Sequence, residues 1–262
     1  MWVIKMSIFK ELYQYRELLK TNVKKEIRGK YKGSVLGIMW SFLNPLLMVL
    51  VYAIVFPYLM RMKQDHYLIY LITGIIPWTF FSTVITNGCN CIWINGGIIK
   101  KVYFPRLILP ISIVSSALVN FLISCIIILL FVIFGGVGLN INILWLPVIA
   151  IIQSIFCLGV LLIFSSINVY VRDIEYILGF IINLLFYLTP IVYRVDMFPE
   201  AYRWLLYLNP MTHFVDAYRN IFYYQVSPHF SSLGTMLGIS VIMLIIGYMV
   251  YSKLEKGFAE EV

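Results

Sequence analysis

The 262-residue chain is 61% hydrophobic and 12% charged, with a mean hydropathy of +0.90 and a formal net charge of +8. An average globular domain carries about 25% charged residues, so composition excludes an ordinary soluble domain and leaves an integral membrane protein. The length suffices for about six spans and no large soluble domain.

Residues 1–34 open the chain with nine Lys and Arg. Ile8, Leu12, Tyr15, Leu19, Val23 and Ile27 recur at helical spacing and form one apolar stripe, with Lys10, Arg16, Lys20, Lys24, Lys25 and Arg28 on the remaining surface. This pattern predicts an amphipathic helix in the cytoplasmic interface plane, its basic groups near anionic headgroups. Two roles fit it: an orientation signal and lipid anchor, or a collar that also holds a cytoplasmic partner. No short apolar core precedes a small-residue cleavage site, so a cleavable signal is not expected.

The charge gaps predict six spans, at about 35–60, 67–88, 107–134, 143–169, 176–193 and 233–252. The third and fourth come from one run. Between Arg106 and Arg172 lie 65 residues without Asp, Glu, Lys, Arg or His. As a single helix that run would measure roughly 98 Å, against a bilayer core of ~30 Å, so it must fold back. Gly135, Gly136 and Gly138, followed by Asn140 and Asn142, mark the hairpin. Pro45, Pro77 and Pro190 are candidate kinks in spans one, two and five. Small residues every four positions (Gly29, Gly33, Gly37, Ser41, and Gly234, Gly238) are candidate sites of close helix approach. Cys89, Cys91, Cys125 and Cys157 lie in or beside apolar runs and read as small buried hydrophobes. No His, Glu or Cys spacing indicates a metal site.

Fifteen Lys and Arg fall on the side of the N-terminus and five on the other, so the positive-inside rule places both termini in the cytoplasm. On that side, residues 96–110 are basic and aromatic and are flanked by glycine and proline. Gly96 and Gly97 break the exit from span two, while Pro105 and Pro110 constrain the start of span three. A short cytoplasmic helix between two spans is expected; the plainer reading is an ordinary positive loop. Arg172, Asp173 and Glu175 lie within four residues. A charge at the bilayer centre costs ~2.5–3.5 kcal/mol on insertion scales, which places this turn at the membrane edge. It is either a solvated turn or a contact that senses a partner.

On the outer side, residues 194–231 are too polar to span. Pro199 can open a short helix over residues 200–208. Asn209 then caps a second, with Pro210 at its first position, running to about Tyr224. Two short helices between spans five and six predict a re-entrant hairpin at a pore mouth, or else a pair lying flat on the outer leaflet. Aromatics make up 16% of the chain. Tyr67, Tyr70, Trp145 and Tyr251 fit interface belts. Tyr52, Phe56, Phe80, Phe81, Phe186 and Tyr187 lie deeper and are candidate pore-lining residues.

Residues 96–110 resemble the coupling loop of type-2 ABC exporter permeases, in particular the exporters of O-antigen, capsule and teichoic-acid polysaccharides. Tyr31-Lys32-Gly33-Ser34-Val35-Leu36-Gly37, with Trp40 and Asn44-Pro45, is similar to the start of their first span. Val171-Arg172-Asp173-Ile174 is similar to their turn after span four, and Tyr207-Leu208-Asn209-Pro210-Met211-Thr212 to their late outer motif. The resemblance implies an all-α integral membrane protein with six spans, an interface helix over residues 1–34 and gate helices in 194–231. It implies an inner-membrane homodimer, resting on two ATP-binding cassette ATPase subunits and passing a lipid-linked glycan. Residues 96–106 and the turn at 172–173 would contact the ATPase through Gly96, Lys100, Lys101, Tyr103, Phe104, Pro105, Arg106, Arg172 and Asp173. The gate would include Asn209, Pro210, His213 and Arg219.

No G-x-x-x-x-G-K-[ST] run is present: Gly29-Lys30 is followed by Tyr31. The chain is therefore expected to be no enzyme and to hold no cofactor, with ATP and Mg on the partner. Membrane lipid is an expected partner and nucleic acid is not. A drug or lipid exporter of the same type is the first alternative. A secondary transporter would ordinarily carry ionisable residues in its spans, and a membrane transferase would need carboxylate or His clusters.

Overall fold

The computed structural model describes residues 10–30, 32–60 and 65–262. Ile8 of the apolar stripe, Tyr31, and Arg61 and Lys63 of the first outer loop lie outside the described residues. Among the described residues the structure is all helical. An amphipathic helix α1 (Arg16–Lys30) leads into α2 (Trp40–Met60) and α3 (Tyr67–Gly88). Two single-turn helices, α4 (Cys91–Ile94) and α5 (Gly96–Ile99), precede α6 (Ile108–Phe134) and α7 (Leu146–Tyr170). Then come α8 (Asp173–Leu188), α9 (Arg203–Tyr207), α10 (Pro210–Phe222), α11 (Phe230–Leu254) and α12 (Phe258–Glu261).

Four stretches are long and apolar enough to cross a bilayer: Tyr67–Gly88, Ile108–Phe134, Ile141–Tyr170 and Phe230–Glu261. The apolar part of α2, Phe42–Phe56, and the 16-residue α8 are shorter. A 3₁₀ turn, Ile141–Trp145, completes the hairpin between α6 and α7, with the Asn140 side chain accepting from the Asn142 N–H at 3.2 Å.

Helix α3 is the hub, packing against α2, α6, α7, α8 and α10. Its residues Leu71, Ile72, Ile75 and Val84 are fully buried. The chain therefore surrounds its second long helix with the others. Leu12 and Tyr15 just before α1, and Leu19, Val23 and Ile27 on it, are half-buried while Lys20, Lys24, Lys25 and Arg28 are exposed, and the helix packs along α6.

Two packing expectations change. The tightest helix pair is α7 with α11. A Cβ at Gly159 would stand 2.5 Å from the Met243 carbonyl carbon, and one at Gly247 would strike the Gly159 carbonyl oxygen. Gly234, Gly238, Gly29, Gly33 and Gly37 face open space instead. A repeat of small residues marks a face; single glycines on two helices mark this contact. Pro190 does not kink the fifth apolar helix but follows its end. Thr189 is extended at φ −90 and ψ 132, the conformation a following proline imposes.

Candidate functional site

On one side of the molecule the loop after α3, the turn at the start of α8 and the C-terminal tail converge on one platform. Trp93 at the end of α4 lies under the Arg172 guanidinium, 4.0 Å from ring centroid to Cζ. The Asn90 amide donates to Glu175 at 3.0 Å. These contacts join the loop after α3 to Arg172 and the first turn of α8. Both are charge-to-π or amide-to-carboxylate contacts, the kind that hold at a wet membrane edge.

The C-terminal tail completes the platform, which the sequence reading missed. Phe258 is fully buried, against Tyr251 at 5.5 Å and Tyr170 at 6.4 Å between ring centroids. Tyr170 donates to the Leu254 carbonyl at 2.8 Å. Val262 lies so close to Gly96 that a Cβ there would strike it. Gly96 thus serves contact with the chain's own end. Phe258 carries a signal that could have found it: a large aromatic after Gly257 in an otherwise charged tail.

Within the basic loop the structure separates the candidate residues. Lys100 and Lys101 are exposed, and Tyr103 projects at 86% exposure. Phe104 turns inward at 7% exposure, so it cannot fill a cleft on another subunit. Arg106 donates to the Glu255 carbonyl and faces the Phe258 ring at 6.0 Å, fastening the tail rather than reaching outward. Pro105 is half-buried behind them. Tyr103 and Phe104 lie in a non-helical stretch between α5 and α6, where neighbouring side chains take opposite surroundings. Arg172 and Asp173 are exposed at the platform's rim.

On the other side of the molecule a hook at residues 189–193 returns the chain from α8. Arg219 of α10 holds it. At 1% exposure, this guanidinium donates from Nη1 to the Pro190 carbonyl and from Nη2 to the Ile191 carbonyl at 2.7 Å. Its Cζ sits 3.6 Å over the Tyr70 ring. Tyr67 and Tyr70 of α3 donate to the Val192 and Tyr193 carbonyls, each at 2.9 Å. These two tyrosines, expected in an interface belt, therefore carry hydrogen bonds of the hook. Asn209 caps α10 by accepting from the Met211 N–H at 3.0 Å, while its amide donates to Thr189 at 2.7 Å. Pro210 takes the first helical position. The first short helix differs from expectation: a 3₁₀ turn over Glu200–Tyr202 precedes α9.

Beside Arg219 opens a cavity of about 430 Å³, lined among others by Arg194, Tyr207, His213, Asp216, Tyr224 and His229. His213 Nε2 lies 3.1 Å from the Tyr207 carbonyl oxygen. Burial pushes the Asp216 carboxyl above its usual range, against the opposing pull of the Arg219 charge and a Tyr207 hydrogen bond. Burial likewise pushes the Tyr207 phenol up to about 12.

The six aromatic candidates split. Tyr52, Phe56, Phe186 and Tyr187 form one cluster across α2 and α8, with Tyr52 at 5.5 Å from Phe56 and 5.8 Å from Phe186, and Tyr187 at 5.4 Å from Phe186. Tyr187 is 65% exposed. Phe80 and Phe81 are buried within the protomer, stacked on Phe121 at 5.1 Å and Phe156 at 5.8 Å. Among the described residues no group of three or more His, Cys, Asp or Glu could hold a metal ion.

The sequence profile of the ABC-2 type transporter family matches residues 17–223. The chain is 35% identical over 245 residues to the O-antigen export system permease protein RfbA of Klebsiella pneumoniae, covering 93% of this chain and 94% of that one. It is 33% identical over 259 residues to the RfbA protein of Myxococcus xanthus, covering 98% and 100%. It is 27% identical over 243 residues to the polysialic acid transport protein KpsM of Escherichia coli, covering 88% and 91%. A profile match across most of the chain and relatives aligned over nearly their whole length leave one assignment: the protein is a multi-pass member of the ABC-2 type transporter family.

Proposed function

We propose that this chain is the membrane subunit of an ATP-driven exporter moving a lipid-linked polysaccharide, of the O-antigen, capsule or teichoic-acid kind, across a bacterial inner membrane. The names of its relatives supply the substrate class. In this reading α2 and α8 join the four longer stretches as spans, both termini are cytoplasmic, and residues 1–34 lie on the inner leaflet.

The observation that carries the reading is the cytoplasmic platform. Lys100, Lys101 and Tyr103 project from a loop fastened at its back by Arg106, Trp93 and the C-terminal tail. A rigidly backed loop can transmit displacement, whereas a free one would absorb it. An ATPase subunit with an acidic, cleft-bearing surface fits the two ammonium groups and the single projecting ring. ATP and Mg bind on that partner, two copies serving a homodimer. The apolar faces of α2 and α8, including Val51, Ile54, Phe180 and Leu184, are exposed beside the Tyr52 and Phe186 rings. A second copy placed against them would enclose an aromatic-lined conduit, along which a glycan slides without a single tight site. The hook and α10 would close its outer mouth.

Lys100→Glu combined with Lys101→Glu tests the platform. In cells that depend on the exporter, the double variant is expected to lose ATPase copurification and surface glycan while inserting normally. Retention of both would refute the assignment.

A further inference from the structure

Polar residues recur every four positions on two facing helices. Thr79, Thr83 and Asn87 form one ladder on α3, and Ser116, Asn120 and Ser124 form the other on α6. A four-residue spacing puts each set on one face of its helix. The ladders line two connected cavities of about 270 and 360 Å³, which share Thr83, Asn87, Ala117 and Asn120. Together they make one groove between α2, α3 and α6, roofed on the cytoplasmic side by α1.

The groove has a direction. Its mouth holds Lys25 and Glu26 of α1 and Asn95. Its inner end holds Ile76, Asn44 of α2, and the stacked rings of Phe80 and Phe121. From Asn87 to Ile76 the ladder rises ~16 Å along α3 at ~1.5 Å per residue, about half of a ~30 Å hydrocarbon core. Asn44 and Asn87 are exposed next to lipid-facing Leu47, Met48, Val119 and Leu122, so the groove opens sideways as well as downward.

The lining chemistry selects an occupant. Thr79, Ser116 and Ser124 hydroxyls bond back to carbonyls of their own helices, and the Asn120 amide donates to the Ser116 carbonyl. Thr83 and Asn87 make no side-chain hydrogen bond among the described residues, which leaves their donors and acceptors to whatever fills the groove. The half-buried Thr83 hydroxyl, one turn above the exposed Asn87 amide, is costly without a partner unless wet or matched. The lining is neutral apart from Lys25 and Glu26, whose charges offset. That excludes a strongly anionic group as the best fit and favours a neutral, hydroxyl-rich one. The buried, stacked Phe80 and Phe121 rings form an apolar floor at the inner end and leave the polar ladder residues as the groups that can meet an occupant.

We infer that this groove is a docking lane for the sugar end of a glycan held in the cytoplasmic leaflet by its lipid tail, separate from the conduit between protomers. The inference rests on the polysaccharide-export reading. It names a site on the flank of one protomer, where the sugar leaves the headgroup layer while its tail stays in lipid.

The test uses the permease–ATPase complex in nanodiscs, with a polyprenyl-phosphate-linked monosaccharide carrying a diazirine on its sugar. Photolabelled peptides are mapped by mass spectrometry. Label is expected on the α3 and α6 peptides spanning residues 79–87 and 116–124. It should fall at least fivefold in Asn87→Leu and Thr83→Val, and be kept in Asn87→Gln, with unchanged melting. Phosphatidylglycerol bearing the diazirine on its headgroup should label the groove no more than phosphatidylcholine does. Three results would overturn the inference: equal labelling by phosphatidylglycerol, which makes the groove a phospholipid site; no label there, which makes it a water channel; or undiminished label in Asn87→Leu. ATP-dependent export by the same complex is measured in parallel. An unlabelled groove with export intact refutes the lane alone, whereas absent export in the unmutated complex refutes the functional reading.

Discussion

Arg219→Leu isolates the device that ties α10 to the end of α8. The guanidinium makes two hydrogen bonds to backbone carbonyls and sits 3.6 Å over the Tyr70 ring. Hydrogen bonds to a charged group contribute about 1.5–3 kcal/mol each, and a desolvated cation–π contact about 2 kcal/mol. Against this, leucine removes the desolvation cost of a buried charge, several kcal/mol for an ion of this kind. What decides the sign is what remains behind. The Pro190 and Ile191 carbonyls would lose partners in a buried site, at about 1–3 kcal/mol each. The net loss comes to about 3 kcal/mol, or roughly 6–12 °C in melting temperature for a chain of this size. Arg219→Lys keeps the charge but cannot fork to two carbonyls, so it should fall between. Thermal melting of the detergent-purified protein reads the effect, with limited proteolysis over residues 189–203 reporting where the chain loosens. If Arg219→Leu melts at or above the unmutated protein, the hook is not held in the way described.

Further substitutions test other parts of the framework. Gly159→Leu drives a side chain into the backbone of α11, which cannot give way, and should cost at least the ~1–3 kcal/mol of overpacking. Gly234→Leu faces open space, so its yield and monodispersity should match the unmutated chain. Phe258→Ala removes a fully buried ring, worth about 3–5 kcal/mol. It should expose residues 255–262 to protease and weaken ATPase copurification, and unchanged copurification would detach the tail from the platform. Asp216 tests the sign of a buried carboxyl. Because burial raises its folded-state pKa, the native protein holds a proton that the unfolded chain has lost, from the ordinary value of about 4 up to the raised one. Stability should therefore fall as pH rises through that window. Asp216→Asn should flatten the slope in melting measured from pH 4 to 7.

The long helices α3 and α6 were legible because hydropathy and charge gaps are properties of composition along the chain. The Asn209 cap with Pro210 was legible because both act on their immediate neighbours. What was hidden depends on partners distant in sequence. Arg219 reads as one more outer arginine until Pro190 and Ile191, 29 and 28 residues away, accept from it. Gly159 and Gly247 gain meaning only once α7 and α11 are side by side. Phe104 and Tyr103 are adjacent aromatics with equal claims in sequence, and only the packing of the folded chain puts one inward and one outward. The ladders at Thr79 and Ser116 were present as a four-residue period, but neither shows a groove until α3 and α6 face each other.

The most direct measurement reconstitutes this chain with its ATPase in sealed vesicles and follows ATP-driven movement of a lipid-linked glycan to the opposite leaflet. The account predicts translocation that requires the chain, the ATPase and ATP together, and that disappears with Lys100→Glu plus Lys101→Glu. Translocation by this chain alone, or transport undiminished by that double substitution, would contradict it.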